Sequence, residues 1–139
     1  MSFNLINNPP YSNQINVIDN YKKTSEEFCK HFYNGFDYSF PQLNTLFKFN
    51  ASITFLNTEF IGFENLLHQI QINNLYSFEH HSITGNSQPV DRETILINTT
   101  GSLSINDSLF QTPFSETIVL KKDNNNCLFI TNWIFRLLS

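Results

Sequence analysis

The sequence predicts an α+β domain in which a strongly bent antiparallel sheet wraps around three helices. Helical patterns dominate the first half of the chain, whereas four long segments rich in β-branched and aromatic residues fill the second half. The chain has 139 residues, of which 15% are aromatic and 14% are charged, so it can build the core of one folded domain. Bending the sheet around the helices is the simplest way to bury the apolar faces of both.

The first element is a long helix that follows an extension without regular structure. Residues 1–14 are predicted to be a flexible N-terminal extension, because Pro9 and Pro10 forbid a regular helix there. Residues 15–139 are predicted to form a single domain. From Ile15 to Phe36, apolar side chains recur at intervals of three and four, which is the pattern of one buried helical face.

Shorter patterns predict the remaining elements. Pro41 suits the first turn of a short second helix, the pair Asn57-Thr58 forms the turn of a hairpin, and Gly62 begins a third helix. The short elements are predicted at 41–47, 52–56, 59–61 and 62–72, and the long strands at 76–89, 94–105, 112–122 and 128–138. Because short breaks rich in Asp, Asn and Ser join the long strands, these strands should pair antiparallel as a meander.

Composition argues against several classes of function. The net charge of −4 and the pI of about 5.4 leave too little basic surface for direct nucleic-acid binding. No stretch approaches the roughly 18 consecutive apolar residues that a membrane-spanning helix needs. Cys29 and Cys127 are far apart, and the four histidines are not grouped with cysteines, so we predict neither a metal nor another cofactor.

Five segments carry a resemblance to a known family. They are TNWIFRL at 131–137, EEFCKHFYNGFD at 26–37, TEFIGFENLLHQI at 58–70, HSITGNSQPV at 81–90 and TTGSLSIND at 99–107. In this order they resemble the nuclear transport factor 2 family, whose terminal motif is Thr-Asn-Asp-x-Phe-Arg-Leu and whose fold is an α+β cone. Since this fold hosts carriers, export adaptors and enzymes, the resemblance leaves three functions to weigh.

The first function is that of a homodimeric carrier that brings GDP-bound Ran into the nucleus. Family carriers hold basic residues of Ran with acidic residues in the loop after the Gly-bearing strand. In this chain that loop is Asn106-Asp107-Ser108, so Asp107 is the single residual carboxylate. Because each lost charge-assisted pair is worth about 1.5–3 kcal/mol, the loop predicts a poor Ran carrier.

The second function, which the sequence favours, is that of an export adaptor. In the NTF2-related export subfamily, the small subunit heterodimerises with the NTF2-like domain of a large mRNA export receptor and supports poly(A) RNA export. The segments Gly101-Ser102-Leu103 and Ser87-Gln88-Pro89-Val90 resemble this subfamily more than the Ran carrier. The resemblance implies a location in the nucleus, the cytoplasm and the nuclear pore, and it leaves contact with Phe-Gly nucleoporins and homodimerisation open.

The last strand provides the physical basis of the adaptor hypothesis. Strict alternation places Ile130 and Ile134 on one face and Trp133 and Phe135 on the other, so both faces are apolar. Leaving such side chains in water would forgo about 1.5–3 kcal/mol each, so either a second subunit or the chain's own helices must cover them. The predicted interface consists of Trp133, Ile134 and Arg136 on this strand, with Asn86, Gln88, Ile97, Thr99 and Ile118 on its neighbours.

The third function is an isomerase or dehydratase with polar groups inside the cone. The candidate residues are Tyr33, Asp37, Tyr38, His80 and His81. Adjacent histidines on a strand point to opposite faces, so at most one of the pair can enter the cone. The neighbouring segments are rich in Phe, which predicts a cone filled with rings and a structural histidine rather than a catalytic one. A deep cavity with a histidine bonded to Asp37 would favour the enzyme instead.

Overall fold

Three helices and six strands make up residues 17–75 and 77–138, the part of the chain that the computed structural model describes. The predicted flexible extension, residues 1–14, lies outside the described residues. In chain order the elements are α1 (Val17–Tyr38), a 3₁₀ helix (Phe40–Leu46), β1 (Phe47–Phe55), β2 (Thr58–Ile61), α2 (Phe63–Ile72), β3 (Phe78–Asp91), β4 (Thr94–Ile105), β5 (Thr112–Lys122) and β6 (Leu128–Leu137). No helix within these residues is both long and apolar enough to cross a bilayer.

The six strands form one curled sheet in the order β2-β1-β6-β5-β4-β3. Strands β3 to β6 are the predicted antiparallel meander, and β1 and β2 form the predicted hairpin. Its turn is Leu56-Asn57 and not the predicted Asn57-Thr58, because Thr58 already pairs with Phe55 as the first residue of β2. The sheet departs from the prediction at one place, because β1 pairs with β6 in parallel. The prediction of an α+β cone with a bent sheet around three helices is therefore confirmed, with a mixed rather than wholly antiparallel sheet.

Aromatic rings fill the interior of the cone. Helix α1 places Phe28, Phe32 and Phe36 at intervals of four, and all three are at most 1% exposed. The ring of Phe32 meets Trp133 edge-on at 5.6 Å between centroids, and Phe36 lies 5.6 Å from Phe135. These are the distances at which aromatic pairs attract beyond simple burial, so α1 is held against the sheet by its rings.

A β-bulge in β6 decides which side chains of the last strand face the interior. Val119 pairs with Asn132 and Leu120 pairs with Ile130, so Thr131 has no counterpart on β5. The extra residue shifts the alternation by one position, and the apolar side chains on both sides of the bulge therefore point inward. The prediction that both faces of the last strand are apolar is wrong, because it assumed an alternation without a bulge.

Four of the eight predicted interface residues belong to the core. They are Trp133, Ile118, Ile97 and Thr99, which are between 0% and 4% exposed. They follow the inward alternation of β4, β5 and β6, so the prediction that they meet a partner is wrong. The other four, Ile134, Arg136, Asn86 and Gln88, are exposed, and their contact with a partner remains a prediction.

Candidate functional site

A polar cluster lies inside the cone, between α1 and the inner face of β4, β5 and β6. At its centre is Glu116 on β5, which is 1% exposed. Its Oε1 atom is hydrogen-bonded to the hydroxyl groups of Tyr33 and of Thr99, the latter at 3.1 Å. Its Oε2 atom accepts the indole N–H of Trp133 at 2.6 Å. The oxygens of Tyr33 and Thr99 are also 2.6 Å apart, so three oxygens are mutually in contact.

A proton count indicates that Glu116 is neutral. Three contacts join the three oxygens and each contact needs one proton, but the hydroxyls of Tyr33 and Thr99 supply only two. A protonated carboxyl supplies the third. Burial raises the pKa of Glu116 above its ordinary value, although hydrogen bonds from Tyr33 and Trp133 and the proximity of His80 act in the opposite direction. The cluster is thus a satisfied buried network that fixes α1 on the sheet.

A second polar pair, His80 and Asp37, joins β3 to the end of α1. The Nδ1 atom of His80 is 2.6 Å from Oδ1 of Asp37, and the backbone N–H of His80 donates to Oδ2 at 3.1 Å. The side chain of His80 is only 1% exposed, and the rings of Phe36, Phe114 and Tyr33 pack around it at 4.4–5.2 Å. Rings thus occupy the space where a substrate would have to meet the histidine, which is the arrangement of a structural residue.

Two of the other enzyme candidates, His81 and Tyr38, do not join this pair. His81 lies 3.6 Å from Glu79 and 3.3 Å from Ser104, so it does not contact Asp37. Tyr38 is 82% exposed at the end of α1. Within residues 17–75 and 77–138, no group of three or more His, Cys, Asp or Glu side chains is arranged to hold a metal ion.

Carboxylates converge at the C-terminal end of α1. A recess of about 230 Å³, the carboxylate recess, is lined by Asp37, Tyr38, Ser77, Phe78, Glu79, Ser104 and Asp107. The Oδ1 atom of Asp107 lies 3.4 Å from the hydroxyl of Ser77, and the backbone of Asp107 has a φ of 59°. The fold therefore adds Asp37 and Glu79 to the lone Asp107 of the loop, which the sequence motif could not reveal.

An apolar recess adjoins the carboxylates. Its volume is about 330 Å³, and it lies between the 3₁₀ helix and α2, lined by Phe40, Pro41, Leu67, Ile70, Gln71, Asn74, Leu75 and Phe78. Phe78 lines both recesses, so they meet around one ring, and we call them together the Phe78 surface. This surface offers an apolar cleft beside negative charge, which suits a protein segment that carries a large apolar side chain next to cations.

The β4–β5 loop presents two large apolar side chains that the sequence analysis did not single out. Leu109 is 98% exposed and Phe110 is 83% exposed, two and three residues after Asp107. Adjacent apolar side chains at such exposure are typical of surfaces that bind a partner. Their sequence signal is an apolar pair within a turn, between Asn106-Asp107-Ser108 and the start of β5.

The outer face of the sheet, formed by β3 to β6, is polar with scattered apolar side chains. Ile134 is 44% exposed and pairs with Thr117 on β5 and with Thr54 on β1. Exposed Arg136 and Asn98 also lie on this outer sheet face. Such a mixture of amides, hydroxyls and a few apolar groups is typical of interfaces that form reversibly.

Comparison with known proteins identifies the relatives of this chain. A family model of the Nuclear transport factor 2 (NTF2) domain matches residues 24–137. The chain is 27% identical over 118 residues to nuclear transport factor 2 of Candida albicans, which covers 84% of this chain and 94% of that protein. It is 26% identical over 114 residues to nuclear transport factor 2 of Saccharomyces cerevisiae, covering 81% and 90%.

Solved structures share the fold at lower identity. Nuclear transport factor 2 from Cryptosporidium parvum superposes with a TM-score of 0.72 at 24% identity, covering 90% of this chain and 100% of that one. The complex of the yeast deubiquitinase Ubp3 with its cofactor Bre5 superposes with a TM-score of 0.66 at 19% identity, covering 85% of this chain and 97% of that one. A putative scytalone dehydratase from Novosphingobium aromaticivorans superposes with a TM-score of 0.66 at 11% identity, covering 86% of this chain and 85% of that one. At these identities the structures establish the cone fold alone, and the function has to be argued from the site.

Proposed function

Because the chain belongs to the Nuclear transport factor 2 (NTF2) domain family, we propose that it is a nuclear transport factor, a homodimeric carrier of GDP-bound Ran. The observation that carries this proposal is the Phe78 surface, where an apolar recess adjoins the carboxylates of Asp37, Glu79 and Asp107. Support also comes from the curated relatives named nuclear transport factor 2, which the chain matches over at least 90% of their lengths.

The Phe78 surface can recognise cargo through two kinds of contact. A large apolar side chain of the cargo would fill the apolar recess, which stabilises a complex by about 1.5–3 kcal/mol when burial is complete. Cations beside that side chain would meet Glu79 and Asp107, which are exposed and therefore worth about 1 kcal/mol or less each. The loop motif alone predicted a poor Ran carrier, but it left out the two carboxylates that come from α1 and β3.

The outer sheet face would hold the second subunit. Ile134 provides the apolar centre of this interface, and Arg136, Asn86 and Gln88 provide polar contacts around it. Because the two subunits would meet through their sheets, the Phe78 surface at the end of each cone stays free for cargo. Shuttling between nucleus and cytoplasm through the nuclear pore follows from this role.

Calorimetric titration of the full chain with Ran tests the proposal. We expect binding of the GDP-loaded form, and we expect the double variant Glu79→Gln/Asp107→Asn to lose up to about 2 kcal/mol, or up to about 30-fold in Kd. A matched control is Glu59→Gln/Glu64→Gln, which removes two carboxylates from β2 and α2 outside both recesses. Absence of binding, or equal losses in the two double variants, would contradict the proposal.

The second candidate is the small subunit of an mRNA export heterodimer, which the sequence analysis favours. The exposure of Ile134 on the outer sheet face supports it, since the face has room for a different NTF2-like domain. The Ubp3–Bre5 complex is an example of a protein of this fold that is found with another protein. The mass in solution separates the two candidates. A homodimer of the 16.2 kDa chain supports the carrier, whereas a monomer that pairs only with the receptor domain supports the adaptor.

A further inference from the structure

A third recess lies beside the middle of α1, between Lys22 and Tyr33, away from the Phe78 surface at the end of the helix. Its volume is about 630 Å³, and it is an open groove bounded by α1 on one side and by β3 and β4 on the other. Recesses of about 300–1,000 Å³ are the usual size of sites for small organic ligands. We call it the α1 recess. Nothing in the proposed transport role uses it.

Small side chains keep the α1 recess open. Helix α1 touches the sheet where Tyr33 meets Thr99, at 2.6 Å between their oxygens. One and two turns earlier on the same helical face are Cys29 and Ser25, which have short side chains and line the recess. Ser87 on β3 also lines it with a short side chain. The rest of the interior is filled with phenylalanine rings, so this gap follows from the residue types chosen at these positions.

The walls of the α1 recess are apolar and its floor is polar. Ile83 of β3 and Ile97 of β4 line the recess together with Cys29. Burial raises the pKa of Cys29 to about 12, so the thiol is neutral and behaves as an apolar wall. The hydroxyls of Tyr33 and Thr99 form the floor, where their protons are already engaged in the Glu116 network.

Charged side chains stand at the rim of the recess. Lys22 and Lys30 are both exposed and both line the recess, two helical turns apart on α1. Glu26 lies between them in the helix and also lines it. The formal charge at the rim is therefore +1, which suits an anion that carries one negative charge better than one that carries two.

From this arrangement we propose that the α1 recess binds a small amphipathic monocarboxylate, with its apolar body against Ile83 and Ile97 and its head group at Lys22 and Lys30. The apolar walls account for the affinity of the body, and the rim charge accounts for the preference for an anionic head. A single alkyl chain of fatty-acid type has this chemistry. The cluster of Glu116 sets the depth of the site, since its hydroxyls close the floor.

Calorimetric titration with three probes of equal chain length tests this site. The probes are dodecanoate, dodecyl phosphate and dodecanol, added to the full chain. We expect dodecanoate to bind more tightly than the other two. The double variant Lys22→Gln/Lys30→Gln should weaken dodecanoate by about three- to thirtyfold and leave dodecanol unchanged. The control Lys48→Gln/Lys121→Gln removes two lysines elsewhere and should change neither.

A steric variant separates binding in the recess from binding to the surface. Ser87→Phe fills the recess from β3, and Thr84→Phe places the same ring on the opposite face of the same strand. We expect loss of dodecanoate binding in the first variant only, with far-UV circular dichroism confirming that both variants fold. Equal binding by both variants, no binding by the unmodified chain, or equal affinity for dodecanol and dodecanoate would each overturn the proposal.

Discussion

Replacement of Glu116 tests whether the buried carboxyl is neutral, as the proton count indicates. In Glu116→Gln the amide keeps the shape of the carboxyl, its oxygen can accept from Trp133, and its NH₂ group can donate to Tyr33 and Thr99. The NH₂ group brings a fourth proton to the three contacts, so one buried donor lacks an acceptor, and we expect a loss of unfolding free energy of about 1–3 kcal/mol near pH 5. In Glu116→Leu the indole N–H and one hydroxyl proton lose their acceptor. Two unsatisfied buried donors at about 1–3 kcal/mol each give an expected loss of about 2–6 kcal/mol.

The pH dependence gives a second, independent measurement on the same variants. The ordinary pKa of a glutamate is 4.5, and burial raises the value for Glu116 in the folded state. Between these two values the folded chain keeps a proton that the unfolded chain releases, so stability falls as the pH rises through this window. The stability is fully present below pH 4.5 and is lost as the pH passes the folded pKa. Glu116→Gln should lack this decline, so its stability relative to the unmodified chain should increase as the pH rises.

Urea unfolding can be followed by the fluorescence of Trp133, the single tryptophan of the chain. It reports both the unfolding free energy of each variant and the dependence of that free energy on pH. The residue contacts Glu116 directly, so its emission also reports the local hydrogen bond. If the unmodified chain instead became more stable than Glu116→Gln with rising pH, Glu116 would be charged in the folded state. That result would refute the neutral network, because stability that rises with pH requires a folded-state pKa below that of the unfolded chain.

Three further predictions concern the sheet and the loop. Ile134→Lys should shift the homodimer to monomers, measured by light scattering across a dilution series, without loss of helix content; an unchanged mass would remove Ile134 from the interface. Gly101→Ala should lower the unfolding free energy by about 1–3 kcal/mol in urea, because its Cβ would lie 2.9 Å from the carbonyl oxygen of His81 and 2.9 Å from the ring of Phe114. Leu109→Ser/Phe110→Ser should change the unfolding free energy by about 0.5 kcal/mol or less, yet weaken cargo binding in the Ran titration. A loss of stability without weaker binding would mean that the two side chains stabilise the fold and do not bind a partner.

The element order could be predicted because each element has a local signal. The three- and four-residue spacing that ends at Phe36 predicted α1, which the structure places at Val17–Tyr38. The turn pair Asn57-Thr58 predicted the β1–β2 hairpin, and the polar breaks predicted the meander. The Phe-rich segments also predicted a cone filled with rings, and the packing around Phe36 and His80 confirms it. These signals depend on residues that are close together in the sequence, so a single sequence is sufficient to detect them.

The parts that escaped prediction depend on residues far apart in the chain. Pairing of β1 with β6 joins segments about 80 residues apart, and nothing local in either strand specifies it. The bulge at Thr131 left no sequence signal, so alternation placed Trp133 on the wrong face. The carboxylate recess likewise joins Asp37, Glu79 and Asp107 from three elements. The loop motif alone therefore underestimated the negative charge available to a partner.

The bulge at Thr131 also bears on how tightly two subunits can associate. By turning Trp133 inward it removes the largest apolar side chain from the outer sheet face, where Ile134 at 44% exposure remains among hydroxyl and amide groups. A face of this composition can remain in water, so we expect the monomer to stay folded without a partner. The interface should then be reversible, with a dimer fraction that falls on dilution, unlike the obligate pairing that an exposed Trp133 would have required. Such an interface separates the free energy of folding from the free energy of association.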